Sequence, residues 1–401
     1  MSDLYWDPFD EAIDADPHGI WRRLRDEAPV YRNDRYDFWA LSRFADVEGA
    51  SRDPATFSSS RGTVLEMMGG DLSATGQIIF MDPPEHTHLR ALVSRAFTPR
   101  QMAKMETHVR TLCAELLDPL VAVDRFDYVQ DFAAQVPSRM ISQLVGVPES
   151  DREEQRHNID EMFHLEPDVG MLNDRALNAQ FRLHDYLSGL VERRRAEPAD
   201  DLVSILCEAE VVDEDGGPRR LSTLEITNFA LLLYGAGTET VMRLLGNAAV
   251  LLARHPDQRA VLVANPDVIP NAVEELLRYE APSPVQGRWT TTEVELHGTT
   301  IPVDSKVLLL TGSAGRDERE YPDADRFDVR RQMKHHASFG YGIHFCVGAA
   351  LARLEGKVAL EETLARFPNW EVDPAGVTRQ HTSTVRGYSS VAIVPTAGAR
   401  S

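Results

Sequence analysis

Basic residues are scarce: 42 lysines and arginines stand against 63 aspartates and glutamates in 401 residues, a formal net charge of −21. This excludes nucleic acid and anionic membrane as main partners, because both are bound chiefly through clustered cations. It says little about small substrates, which a deep apolar pocket can hold beneath an acidic surface. Cysteine is rarer still, and three (113, 207 and 346) do not make the disulfide framework of a small secreted scaffold. Cys113 and Cys207 lie in the helix-like runs Thr111–Leu117 and Leu202–Cys207 and read as core residues. No uncharged apolar run approaches the roughly 20 residues that span a bilayer. The opening Met1-Ser2-Asp3-Leu4-Tyr5-Trp6-Asp7 lacks a basic segment followed by an apolar one. A soluble cytosolic protein is expected. Linkers rich in proline, glycine and serine, low-complexity tracts and repeats are also missing. With 43% apolar residues to fill a core, a single domain over 1–401 is expected, although the length would allow two or three.

Most of what is there reads as helix, giving a mainly α fold with a minor β region. Pro29–Arg32 and Phe38–Leu41, separated by polar turn residues, predict a hairpin. Val294–Leu296, Thr300–Pro302 and Lys306–Leu310 suggest a second small sheet around the turn His297-Gly298. From about 99 to 280 the signals are almost all helical. The most distinctive helix begins after Leu221, with Ser222 or Thr223 as N-cap, and runs to His255-Pro256. Its length is roughly thirty residues, on the order of 45 Å, and apolar residues surround it, which predicts burial through the centre. Gly235 and Gly237 fall in its middle, where each costs about 1 kcal/mol relative to alanine, so small residues are required there.

The densest constraint is Phe339-Gly340-Tyr341-Gly342-Ile343-His344-Phe345-Cys346-Val347-Gly348, followed by the helix-forming Ala349–Glu355. A thiolate at Cys346 would sit at the positive end of a helix, with backbone N–H groups aimed at its sulfur. Glycines at 340, 342 and 348 permit tight turns and let a flat, bulky ligand approach the main chain. Such an environment suits a soft anionic ligand to iron, since protein thiolates ligate heme iron and push electron density toward it.

These residues resemble the heme-binding loop of the cytochrome P-450 family, F-x-x-G-x-x-x-C-x-G, and its soluble bacterial form F-G-x-G-x-H-x-C-x-G. Other segments carry the same resemblance from about Asp16 to Tyr388. Ala236-Gly237-Thr238-Glu239-Thr240 is similar to the family's [A/G]-G-x-[D/E]-T motif. Glu275-Leu276-Leu277-Arg278 resembles its E-x-x-R helix, and Pro322–Asp328 the loop whose arginine joins that pair. The resemblance implies the single-domain fold of the family and heme b (iron protoporphyrin IX) as cofactor. Cys346 is then the metal ligand, and Gly237 borders the cofactor. His86 and Arg90 (an H-x-x-x-R spacing), Arg288 and His344 would meet the propionates, with His336 as an additional candidate. Thr240 would steady oxygen at the iron and Glu239 relay protons to it. Glu275, Arg278 and Arg326 would form a buried structural triad.

The implied reaction is insertion of one atom of dioxygen into a hydrophobic small molecule. No nicotinamide or flavin fingerprint is present, so a ferredoxin and ferredoxin reductase are the implied electron donors. They would dock on the cysteine side, where Arg95, Arg100, Lys104, Lys334 and Arg353 supply a candidate basic patch. The substrate pocket is expected from Ser59–Ile79, Met162–Leu172, the central helix near Leu233, and Thr384–Tyr388, with Arg386 a candidate for a substrate carboxylate. Alternatives open at this point are direct use of peroxide, rearrangement without external electrons, and a heme sensor. A zinc site from His86, His88, His335, His336, His344 and Cys346 has spacings poor for converging on one tetrahedral ion, and a Cys346–His344 nucleophile pair would leave the central helix and the E-x-x-R segment without explanation.

Overall fold

The computed structural model describes residues 4–97, 99–164, 166, 170, 173–212 and 217–396. Helices predominate, and the expected long one is Thr223–Arg254, 32 residues. Ser222 caps it: its hydroxyl accepts from the Glu225 N–H, and the Glu225 carboxylate accepts from the Ser222 N–H. This reciprocal box satisfies two backbone donors that the first helical turn leaves unpaired. The helix then passes through two apolar clusters. Its first half packs Ile226, Phe229, Leu233 and Tyr234 against Ile141, Leu183, Leu187 and Leu206. Its second half packs Leu244, Leu245, Ala248 and Leu252 against Phe132, Met140, Val273 and Val358. Each fully buried leucine or isoleucine contributes about 1.5–3 kcal/mol, so tertiary packing outweighs the two central glycines. Between the clusters the helix opens: Ala236 is exposed, and Gly237 and Thr240 are half-buried.

The hairpin near the start forms as expected, Val30–Asn33 pairing antiparallel with Phe38–Leu41. The second sheet does not. Val294–Leu296 and Thr299–Ile301 pair as a two-stranded hairpin. Lys306–Leu309 instead runs parallel to Phe38–Leu41 and antiparallel to Gln286–Thr290, with Phe57–Ser58 at the far edge of a five-stranded sheet. The reason lies in burial. Val307, Leu308 and Leu309 are all inaccessible to solvent, so both faces of that strand are covered and it takes an interior position.

A further pairing has no counterpart in the sequence reading: Trp370–His381 runs antiparallel to Arg386–Pro395, with Phe126–Asp127 on the edge. This sheet lies along the central helix. An added Cβ at Gly246 would meet Val129 at 3.2 Å and the Tyr388 Cβ at 3.7 Å. The strand beginning at Arg386 is thereby held beside Glu239 and Arg243.

Candidate active site

The cysteine loop descends through two short 3₁₀ turns, Ala337–Phe339 and Gly342–His344, into the helix Ala349–Arg366. Gly340 (φ 67°) and Gly342 (φ 68°) adopt left-handed backbone, which favours glycine. At Gly342 a side chain would also strike the Ser51 carbonyl oxygen, 2.4 Å from the Cβ position. The Cys346 N–H donates to the Phe339 carbonyl at 2.9 Å, closing the loop on itself. Burial pushes the Cys346 thiol up, while the Gly348 and Ala349 N–H groups and the Arg90 and Arg353 guanidiniums favour its thiolate. The amides aimed at sulfur are the ones expected from a cysteine just ahead of a helix.

The opposite wall of this loop comes from Glu85–Val93, which carries His86 and Arg90 on one face. The His86 and His344 rings meet edge to face with centroids 4.4 Å apart. Neither nitrogen of His86 nor Nε2 of His344 has a hydrogen-bond partner, although all three are buried. Burial first, then Arg90, lowers His86 to about 4. His344 falls to about 2 for the same leading cause, with Arg288, His86 and Arg90 adding to it. Arg90 Nη2 donates to the Phe345 carbonyl, tying the helix to the cysteine loop.

Arg288, in the strand Gln286–Thr290, is 4% exposed, and among the described residues no carboxylate pairs with it. Among the described residues its side chain makes one hydrogen bond, Nη1 to the carbonyl of Gly287, and burial lowers it to about 10. Buried charges are ordinarily paired. An unpaired buried arginine, beside orphaned ring nitrogens and a cysteine held by backbone amides, fits a flat anionic cofactor that binds through sulfur at its centre and carboxylates at its edge.

Comparison with known proteins agrees with this fit. The family model for cytochrome P-450 matches residues 52–269 and 267–390. The chain belongs to the cytochrome P-450 family. A putative cytochrome P-450 from Mycobacterium tuberculosis is 40% identical over 98% of this chain and 97% of its own length. Vitamin D(3) 25-hydroxylase of Pseudonocardia autotrophica is 39% identical, with 98% and 97% covered. The solved structure of a mutant of P-450 EryK in complex with erythromycin B superposes with a TM-score of 0.88 at 36% identity, covering 97% and 98%. The protein is therefore a bacterial-type P-450 monooxygenase whose cofactor is heme, and the expected mainly α fold is the family's.

Several positions of this P-450 differ from their sequence-based assignments. Gly237 does not border the cofactor space through its missing side chain: a Cβ there would point at Ile141 Cδ1, 3.0 Å away. At Gly235 it would point at Met162 Cε, also 3.0 Å away. Both glycines are packing notches for neighbouring helices, and Ala236 is the residue open to the gap. The Thr240 hydroxyl donates to the Ala236 carbonyl one turn back at 2.9 Å. Glu239 is turned from Thr240 and pairs with Arg243 at 2.5 Å. Arg243 is four residues along the same helix, a spacing that sequence alone could have flagged.

The E-x-x-R pair is wholly buried in Ile269–Tyr279, Arg278 meeting Glu275 at 2.6 and 2.8 Å. Its third member is Arg331, whose Nε lies 3.3 Å from Glu275, and not Arg326. The Arg326 side chain is 65% exposed and faces Asp328 at 3.6 Å; only its carbonyl reaches the cluster, accepting from Arg278 and Arg331. His336 is no propionate contact either, because it is bound to Glu274 at 3.1 Å. Arg386 is not free for a substrate acid: it is buried and paired with Glu280 and Asp14. In the candidate docking patch Lys334 is exposed, while Arg353 is engaged by Glu274 at 2.7 Å. The side chains of Arg95, Arg100 and Lys104 lie outside the described residues, as do 165, 167–169 and 171–172 of the expected pocket wall.

The remaining wall segments are joined to one another. Ser383 donates to Glu66, the Thr384 hydroxyl to the Val285 carbonyl at 2.9 Å, and Asn228 of the central helix to the Thr75 carbonyl. Met67 is exposed, Ile79 half-buried and Met68 buried along this stretch.

Proposed function

We propose that this P-450 oxidises an uncharged hydrophobic small molecule, with electrons delivered by a ferredoxin and its reductase. The observation that carries the substrate reading is the neutralisation of Arg386 by Glu280 and Asp14. It leaves no free cation in the late wall segment 384–388 to receive an acid. Methionine and isoleucine at 67, 68 and 79 offer an adaptable apolar surface. The vitamin D(3) 25-hydroxylase relative supports the same class. The electron-donor reading rests on the missing nicotinamide and flavin fingerprints and on Lys334, exposed beside the cysteine loop.

When bound, heme supplies the iron at which dioxygen is activated. The chain's own contributions are distinct from that chemistry. Cys346, just ahead of the helix Ala349–Arg366, would hold the iron through its sulfur. Arg288 and Arg90 would neutralise the propionates, and ring N–H groups of His86 and His344, which lack partners here, could donate to the same carboxylates. Thr240 offers its hydroxyl at the one opening in the central helix. Glu239, which burial pushes up against the opposing pull of Arg243, exchanges a proton nearer neutrality than an exposed glutamate does. A carboxyl raised in this way suits a proton relay, although here it is engaged by Arg243 and among the described residues makes no hydrogen bond to Thr240.

The reduced protein under carbon monoxide tests the thiolate: a strongly red-shifted Soret band in wild type, lost in Cys346→Ala, is expected. A wild-type band at the position given by nitrogen-ligated heme overturns the assignment. Reconstitution with ferredoxin, reductase and a nicotinamide donor tests the electron path. Product formed equally well without them overturns it.

A further inference from the structure

Two separate elements supply the cations that fit the carboxylate edge of the cofactor. Arg288 stands on the strand Gln286–Thr290, while His86 and Arg90 stand on the helix Glu85–Val93. They converge on His344, whose ring meets that of His86 and whose protonation Arg288, His86 and Arg90 all oppose. One residue is bonded to both sides. Asp82 lies just ahead of the helix, and its carbonyl accepts from the His86 N–H at 3.1 Å. Its carboxylate reaches the sheet: Oδ2 accepts from the Ser58 hydroxyl and Oδ1 from the Ser59 N–H at 3.1 Å. Ser58 is in register with Trp289, the neighbour of Arg288, on the edge of that sheet. The chain around Ser58 also holds the Arg288 strand at both ends. The Thr291 N–H donates to the Thr56 carbonyl at 3.0 Å, and the Gly287 N–H to the Thr63 carbonyl at 2.7 Å. A single carboxylate thus closes 24 residues of chain and joins the helix to the sheet. Its charge acts on both as well, offsetting the burial of Arg288 and of His86.

We propose that Asp82 is a positioning residue for the cofactor: its carboxylate sets Arg288 and the His86–Arg90 face in register with each other, so that both sides meet the carboxylates of one heme. This role rests on the reading, given above, that Arg288 and Arg90 neutralise the propionates. A rim fixed before the cofactor arrives loses less freedom on binding, and therefore holds it more tightly. The hydrogen bonds that fix it are charge-assisted, which makes them stronger than a neutral pair would be. Because the same negative charge acts on Arg288, it also limits the positive field that the arginine casts on the cofactor.

The test measures heme transfer to excess apomyoglobin and the ferric–ferrous midpoint potential of the heme-loaded protein. Asp82→Ala removes both bonds and the charge, and retention of heme is expected to fall about tenfold. Asp82→Asn keeps an acceptor for the Ser59 N–H, so retention is expected to stay within about threefold of wild type. Its midpoint is expected to move positive, because a negative charge that opposed reduction is gone. Ser58→Ala leaves Asp82 charged, and is expected to weaken retention several-fold without moving the midpoint. In the double variant Asp82→Ala with Arg288→Met, the combined loss is expected to fall well short of the product of the two, since Asp82 acts through Arg288. Unchanged retention in Asp82→Ala, or losses that multiply in the double variant, overturns the positioning role. An unmoved midpoint in Asp82→Asn overturns the placement of its charge. Unchanged retention in Arg288→Met alone would instead sink the propionate reading, and the positioning role with it.

Discussion

Replacing Glu275 with alanine strips the counter-charge from a guanidinium that has no solvent to turn to. Both Glu275 and Arg278 are wholly inaccessible. Breaking a buried ion pair by removing one partner costs about 3–5 kcal/mol. The Asp328 N–H, which donates to Glu275 at 2.9 Å, loses its acceptor as well, at about 1–3 kcal/mol. Because the two losses share one site they do not simply add, and roughly 4–6 kcal/mol is expected in all. Arg331→Ala removes a pair at 3.3 Å and bonds to the carbonyls of Pro322, Asp323 and Arg326. About 1.5–3 kcal/mol follows from hydrogen bonds to a charged group. Arg326→Ala removes an exposed guanidinium 3.6 Å from its partner, which is worth at most about 0.5 kcal/mol. Urea unfolding followed by circular dichroism measures the order, with heme saturation held fixed because a bound cofactor shifts apparent stability. Arg326→Ala as costly as Arg331→Ala would refute the assignment of the third member.

Arg288→Met removes the unpaired buried cation, and retention of heme against transfer to excess apomyoglobin is expected to fall about tenfold or more, the loss of one charge-assisted bond; unchanged retention would mean that Arg288 does not meet the cofactor. Gly237→Ala forces Ile141 aside and lowers the unfolding free energy by about 1–2 kcal/mol after the helix-propensity gain is offset. The double change with Ile141→Val recovers it, and failure of that rescue would place the conflict elsewhere. Glu355, buried in Ala349–Arg366, is pushed up to about 8 by burial, so the native state keeps a proton that the unfolded chain loses. Its contribution is therefore full below about pH 4.5 and is lost as pH rises toward 8. Glu355→Gln is expected to stabilise the protein at pH 7 by about 2–3 kcal/mol and to have little effect at pH 4. Equal effects at both pH values would contradict that protonation state.

The cysteine loop and the central helix were legible because their signals are local. A glycine at left-handed φ, an N-cap with its partner three residues on, and a cysteine ahead of a helix are all set by neighbours in the chain. His86 and Arg90 were legible for the same reason, since four residues put them on one helical face. The fate of Lys306–Leu309 was not, because an apolar run of four does not say which strands will cover it. Nor was the sheet formed by Trp370–His381 and Arg386–Pro395, whose register is broken between Val372 and Val377.

The sequence by itself therefore determined the family, the glycine-rich loop that presents Cys346 ahead of a helix, and the long helix that carries Glu239 and Thr240. Tertiary structure decided how the charges are shared. Arg331 rather than Arg326 completes the buried cluster, Arg386 is neutralised by Glu280 and Asp14, and Gly237 accommodates Ile141. Each outcome depends on which groups distant in the chain arrive within about 4 Å of one another. Residue spacing along a helix fixes a face, but the partner on the other side is chosen only when the core closes.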